Sequence, residues 1–211
     1  MDAEFFRAWI AEITDVIEAQ RDQLTQLDAA IGDADHGTNL ARGFTAVRTA
    51  LAEAETPTPG AVLLLTGSTL ISKVGGASGP LYGTAFRRAA RAVDGKPDVD
   101  LPGLAQALEA ALAGVKKLGA ASEGEKTMVD ALAPAVAAFS KAVSEGTAAS
   151  GALTALAEAA DAGAQATISM QARKGRASYL GPRSVGHEDP GAASTALILH
   201  ALRDVAVRQA R

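Results

Sequence analysis

Three carboxylates, Asp28, Asp33 and Asp35, fall within eight positions of one another in the segment Asp28-Ala29-Ala30-Ile31-Gly32-Asp33-Ala34-Asp35-His36-Gly37. Turned inward without partners, such groups repel one another, and a divalent cation removes the repulsion. A set of carboxylate oxygens that leaves coordination positions for water and phosphate suits Mg2+ better than zinc or copper. Short acidic residues also cap helices and turn loops, and that plainer use stands beside the metal reading. An EF-hand calcium loop is excluded. Counted from Asp33, its sixth position needs glycine but holds Thr38, and its twelfth needs glutamate but holds Phe44.

His36 sits inside this cluster. There an imidazole can donate to a phosphate oxygen, act as acid or base, carry a phosphoryl group, or hold the loop together by hydrogen bonding. Thr38 and Asn39 follow at an expected helix start, where free N–H groups and the helix dipole favour an anion. Gly75-Gly76-Ala77-Ser78-Gly79-Pro80 is a second small-residue loop running into a helix start; it suits either close backbone approach to a phosphate or a tight turn. Gly119 to Thr127 nearly spells the phosphate loop of P-loop NTPases. Glu125 intrudes before Lys126, however, and the segment before it reads as helix where that motif needs a strand. Arg173-Lys174-Gly175-Arg176 is a compact basic cluster, which is most often a solvated face. Arg176 is nevertheless the best-placed cation to stabilise charge on a transferred phosphoryl group. In Gly186-His187-Glu188-Asp189-Pro190-Gly191, an acidic cap precedes a proline at the first helical position.

Helices must position these loops. Phe6, Trp9, Ile10, Ile13, Val16, Ile17, Leu24 and Leu27 recur at spacings of three and four, which predicts one long amphipathic helix with Gln20 as its polar interruption. Further helices are expected from about Asn39 to Leu51, Gly60 to Val74, Pro80 to Val93, Leu101 to Leu118, Met128 to Val143 with a kink at Pro134, Ala148 to Met170, and Gly191 to Val207. The run Ala61-Val62-Leu63-Leu64-Leu65 could pass for a buried strand, but no βα alternation surrounds it. The expectation is an all-α, single-domain antiparallel bundle of about eight helices over residues 1–211, with four polar loops converging at one end. Trp9 and His200 fall inside helices and read as structural.

Composition narrows the chemistry. The 211 residues contain no cysteine, which removes disulfides, thiolate catalysis and Cys-based zinc. A net charge of −4, with no basic block interleaved with aromatics, argues against nucleic acid. The absence of a basic start before an apolar run, and of any apolar run near 18 residues, points to a cytoplasmic protein with no membrane span. Aromatics make up only 4% of the chain and alanine dominates the apolar set, so small residues should lie at close helix contacts.

Taken together, the loops resemble those of the ADP-binding L subunits of dihydroxyacetone kinases. The matching strings run from Leu27 to Asn39, Gly75 to Thr84, Lys126 to Leu132, Ala172 to Gly181, and His187 to Gly191. The resemblance implies a barrel of eight antiparallel helices with ADP or ATP and two Mg2+ ions at one end. It implies that Asp28, Asp33 and Asp35 are metal ligands and, with Arg176, the catalytic residues. It also implies that His36, Gly37, Thr38, Asn39, Ala77, Ser78, Gly119, Met128, Arg176, Asp189, Pro190 and Gly191 surround the nucleotide. In such systems a K subunit holds the ketose covalently through a histidine, and bound ADP is recharged by a phosphocarrier subunit fed from phosphoenolpyruvate. With no second domain in its 211 residues, the chain is expected to be a freestanding subunit, inactive without its partner. The alternatives are the nucleotide domain of an ATP-fed ketose kinase, acting for example on erythrulose, and a regulatory ADP-binding module docked on a transcriptional regulator.

Overall fold

Helix starts are written into the chain as capping residues. In the computed structural model, which describes residues 1–210, the Asp2 carboxylate accepts the Phe5 N–H at 2.9 Å and opens α1 (Ala3–Ala19). Thr58, followed by Pro59, opens α4 (Pro59–Lys73), and Asp100 opens α6 (Leu101–Gly119). Thr127 and Asp130 form a reciprocal capping box at the start of α7 (Met128–Ser144), and Asp189 caps α9 (Pro190–Gln209). The remaining helices are α2 (Arg21–Ile31), α3 (His36–Glu53), α5 (Ser78–Ala92) and α8 (Ala149–Ala166). Two 3-10 segments, Thr167–Ser169 and Arg176–Ser184, lie between α8 and α9. Among the described residues the only extended pairing is an isolated bridge between Asp2 and Asp98.

The all-α expectation holds, with three corrections. The long first helix is two helices, because Gln20 leaves helical geometry with ψ near 6° and the chain restarts at Arg21. The seventh expected helix stops at Ala166 rather than Met170, its last turn tightening into the first 3-10 segment. The second begins at His36, three residues before Asn39, so the histidine belongs to a helix start and not to the loop. The segment Ala61–Leu65 lies within α4, as helix, and α7 runs on through Pro134.

Consecutive helices from α3 to α9 pack side by side, and α1 with α2 closes the ring between α9 and α3. The broken first helix thus forms a single stave, so the ring has eight positions although nine α-helices are present among the described residues. Its interior is filled, not hollow. Phe6, Ile10, Ile13 and Ile17 of α1 are fully buried, and Trp9 packs on Phe86 with ring centroids 5.6 Å apart. The Trp9 indole N–H donates to the Ile198 carbonyl at 3.0 Å, tying α1 to α9.

Small residues let the staves approach closely. A Cβ on Gly67 of α4 would stand 2.6 Å from the Gly83 carbonyl of α5, and one on Gly83 would stand 2.7 Å from the Gly67 carbonyl. Gly67→Val therefore overpacks a backbone-to-backbone crossing, and a loss of about 2 kcal/mol of unfolding free energy is expected in denaturant titration. Wild-type stability in that variant would show that the helices do not meet so closely.

Candidate functional site

Asp28 lies on the last turns of α2 and is buried, with 8% of its surface exposed. Its Oδ2 accepts the backbone N–H groups of Asp35, at 2.9 Å, and His36, at 3.2 Å. A buried carboxylate requires such donors, and these two fold the acidic loop back onto α2. Ala34, between the other two aspartates, adopts a left-handed backbone with φ 61°, which costs an alanine about 1 kcal/mol. The result brings one carboxylate oxygen each from Asp28, Asp33 and Asp35 within 4.8 Å of one another. Gly32 and Gly37 serve clearance here: a Cβ on Gly32 would strike the Asp28 carboxylate, and one on Gly37 would strike the Arg21 carbonyl of α2. The exposed Asp33 forms an ion pair with Arg176 at 3.1 Å.

These carboxylates rim a pocket of about 360 Å³, a size suited to a small ligand or cofactor. The C-terminal ends of α2 and α6 and the starts of α3, α5, α7 and α9 all contribute to it. The Asp28 carboxylate takes the first N–H of α3, whereas α5 has no side-chain cap, so N–H potential at the first turn of α5 is left for a ligand. Away from the acids the wall becomes apolar, with Leu81, Val115, Ala121, Met128 and Val129. One side therefore suits a cation with phosphate oxygens, and the other a flat apolar group.

His36 is held at both ring nitrogens, Nε2 lying 2.8 Å from Ser194 Oγ and Nδ1 lying 3.1 Å from Ser78 Oγ. Burial pushes its pKa down to about 4, against the opposing pull of the Asp28 and Asp35 charges. A neutral imidazole with both nitrogens engaged is arranged as a strut between α3, α5 and α9. It has no free nitrogen to offer as a phosphoryl carrier. Ser194 Oγ also meets the hydroxyl of Tyr82 at 2.7 Å, and Tyr82 meets Thr195 at 2.9 Å. Burial pushes the Tyr82 hydroxyl up to about 12, so it works here as a hydrogen-bonding group and not as an acid.

Most of the expected site residues meet in this pocket: Asp28, Asp33, Asp35, His36, Ala77, Ser78, Gly119, Met128, Arg176, Asp189, Pro190 and Gly191 all line it. Gly37, Thr38 and Asn39 do not. Gly37 packs on α2, Thr38 is exposed, and the Asn39 side chain accepts from Arg42 at 2.7 Å. Of the apolar wall, sequence reading named Met128 but missed Leu81, Val115, Ala121 and Val129, and it missed Tyr82. Leu81 and Tyr82 follow directly on the glycine loop, whereas Val115 resembles any other core position of its helix.

The DAK2 domain model matches residues 30–204, and the chain belongs to the DAK2 domain family. The "PEP-dependent dihydroxyacetone kinase, ADP-binding subunit DhaL" of Escherichia coli K12 is 44% identical over 194 residues, covering 92% of each chain. The ADP-binding subunit DhaL of kinase 1 from Listeria innocua is 42% identical over 201 residues, covering 95% of this chain and 96% of the relative. The fold is similar to that of the dihydroxyacetone kinase from C. freundii in complex with AMP-PNP and Mg2+, with a TM-score of 0.74 and 26% identity. That match covers 97% of this chain and 34% of the longer one, so this chain spans about a third of the kinase solved.

Asp189, at the start of α9, is half-buried at the pocket wall, and desolvation by the surrounding protein pushes its carboxyl up to about 7. The Ala192 N–H, which it accepts at 2.7 Å, and the Lys126 charge pull the other way, and Asp130 adds to the upward shift. The folded chain thus keeps a proton that an unfolded aspartate gives up near pH 4. Stability linked to this group is complete at low pH and declines as pH rises toward about 7. Asp189→Asn keeps a capping side chain without the titration. Its melting temperature relative to wild type is expected to rise between roughly pH 4 and pH 7. A difference independent of pH would remove Asp189 as the titrating group.

Proposed function

We propose that this chain binds ADP or ATP with Mg2+ in the end pocket. It would thereby act as the ADP-binding subunit of a phosphoenolpyruvate-dependent dihydroxyacetone kinase, all 211 residues forming one nucleotide-binding domain. The observation that carries this reading is the meeting, at one pocket, of three carboxylate oxygens within 4.8 Å and the uncapped start of α5. The names of the two bacterial relatives and the AMP-PNP and Mg2+ bound by the C. freundii kinase support it.

On this reading Asp28, Asp33 and Asp35 hold the metal, with two ions as the intended complement. Bound Mg2+ supplies neutralisation of the phosphate charge. The first turn of α5 would offer N–H groups to phosphate oxygens, and Ser78 adds a hydroxyl at the pocket edge. Arg176, 3.1 Å from Asp33, lies near enough to stabilise negative charge on the transferred group. Leu81, Val115, Ala121 and Met128 offer the base an apolar seat. The chain's own contribution is positioning and electrostatics, as phosphoryl transfer requires.

The acceptor is a ketose held on a separate K subunit, and the donor is a phosphocarrier subunit fed from phosphoenolpyruvate. That chemistry belongs to the cytoplasm, and no helix among the described residues is long and apolar enough to cross a membrane. A transcriptional regulator is a further partner on this reading.

Isothermal titration should show MgADP binding to wild type and at least about tenfold weaker binding to Asp33→Ala, with chelation of Mg2+ producing a similar loss. Equal affinity in wild type and variant would sink the site assignment. The donor is read separately, by supplying the K subunit and dihydroxyacetone with either ATP alone or the phosphocarrier and phosphoenolpyruvate. Turnover is expected only with the phosphocarrier; rapid turnover on ATP alone would replace the relay with an ATP-fed kinase.

A further inference from the structure

Lys126 does not line the pocket, yet it is one of the most buried side chains in the protein, with 1% of its surface exposed. Lysine is rarely buried without partners, because its ammonium loses its hydration. Here Nζ donates to the Thr167 carbonyl at 2.6 Å and to the His187 carbonyl. The two acceptors belong to different segments, one at the end of α8 and one just before α9. The Lys126 backbone is left-handed, with φ 62°. Glycine would adopt that conformation at a cost lower by about 1 kcal/mol, so the side chain must offset the difference through what it holds.

We propose that Lys126 is a positioning residue for the nucleotide, fixing the start of α9 against the start of α7 so that the two together form one wall of the pocket. The inference rests on the nucleotide reading above. Thr167 is the link. Lys126 grips its carbonyl, while its Oγ1 accepts the Asp189 N–H at 2.9 Å and donates to the Ala164 carbonyl at 2.6 Å. Asp189 in turn caps α9. On the other side, Asp130 accepts the N–H groups of Gly124 at 2.5 Å and Thr127 at 2.7 Å, which fastens the loop carrying Lys126 to the first turn of α7. The fit between the two helix starts is close: a Cβ on Gly191 would stand 3.5 Å from Met128 Cβ. Thr127, Met128, Asp189, Pro190 and Gly191 face the ligand, and Lys126 acts through them. Its charge also faces the carboxyl groups of Asp189, Asp130 and Glu188. A neutral residue would leave two buried carbonyls and these acids without their cation.

Two variants test this in the full chain. Lys126→Met keeps length without charge, and Thr167→Val keeps shape without the hydroxyl that holds Asp189. Each is assayed for MgADP affinity well below its melting temperature and for amide hydrogen exchange by mass spectrometry. Lys126→Met is expected to bind MgADP at least about tenfold more weakly, with Thr167→Val changed in the same direction by less. Faster exchange is expected only around residues 124–130 and 186–192. Wild-type affinity in a folded Lys126→Met, or exchange raised uniformly over all helices, would reduce Lys126 to general stability and overturn the inference. Should Lys126→Met fail to fold, Thr167→Val decides, and unchanged affinity there overturns it equally. If wild type itself binds no MgADP, the nucleotide reading falls and takes this one with it; binding by wild type and both variants alike removes only the role of Lys126.

Discussion

The pocket end depends on keeping the Asp28 carboxylate out of water. A buried carboxyl group accepts donors from whatever backbone is near, and here the donors are the N–H groups of Asp35 and His36. Those two bonds fold the acidic loop, begin α3, and bring Asp33 and Asp35 within reach of Asp28. The left-handed turn at Ala34 and the clearance at Gly32 and Gly37 follow from that one attachment. Once α3 is fixed, His36 reaches Ser78 on α5 and Ser194 on α9, carrying the placement of one carboxylate around the ring.

Side-chain caps are unevenly spread over the helix starts. Away from the pocket, α1, α4 and α6 are capped by Asp2, Thr58 and Asp100, whereas α2 and α8 have no side-chain cap. At the pocket, α5 lacks such a cap, and the first N–H of α3 is taken by the Asp28 carboxylate. The starts of α7 and α9 are capped, and their caps are joined to a buried network through Asp130, Lys126 and Thr167. The start of α5 is left chemically open while those of α7 and α9 are held in place. A pocket that must orient a charged ligand gains from both.

Much of this was legible in the sequence, because periodicity and capping are local. Seven of the eight expected helices appear within a few residues of their expected limits, and the stave that differs broke at the polar residue already marked, Gln20. The acidic loop, Ser78, Met128, Arg176 and Asp189 could be found because each sits in a short stretch of unusual composition. Val115 could not. It faces the pocket only because α6 packs between α5 and α7, and nothing nearby in the chain distinguishes it from core. Thr38 and Asn39 lie in the motif but are not among the residues that line the pocket: Thr38 is exposed, and the Asn39 side chain accepts from Arg42. The role of Lys126 was hidden for a third reason, since its two acceptors lie 41 and 61 residues further along.

The hydrogen bond from Trp9 to the Ile198 carbonyl has a consequence for how the molecule is made. It joins groups 189 positions apart, so the stave that carries the chain's only tryptophan cannot be completed until nearly the whole sequence is available. Contacts of such separation form late and carry a large loop-closure cost. On a ribosome, the aromatic face of α1 could pack on α3, α4 and Phe86 of α5 first but would stay open on its α9 side until the last helix emerged. Chaperone demand during synthesis should therefore concentrate on Phe5, Phe6 and Trp9, residues that in the finished protein lie far along the chain from most of the site's chemistry.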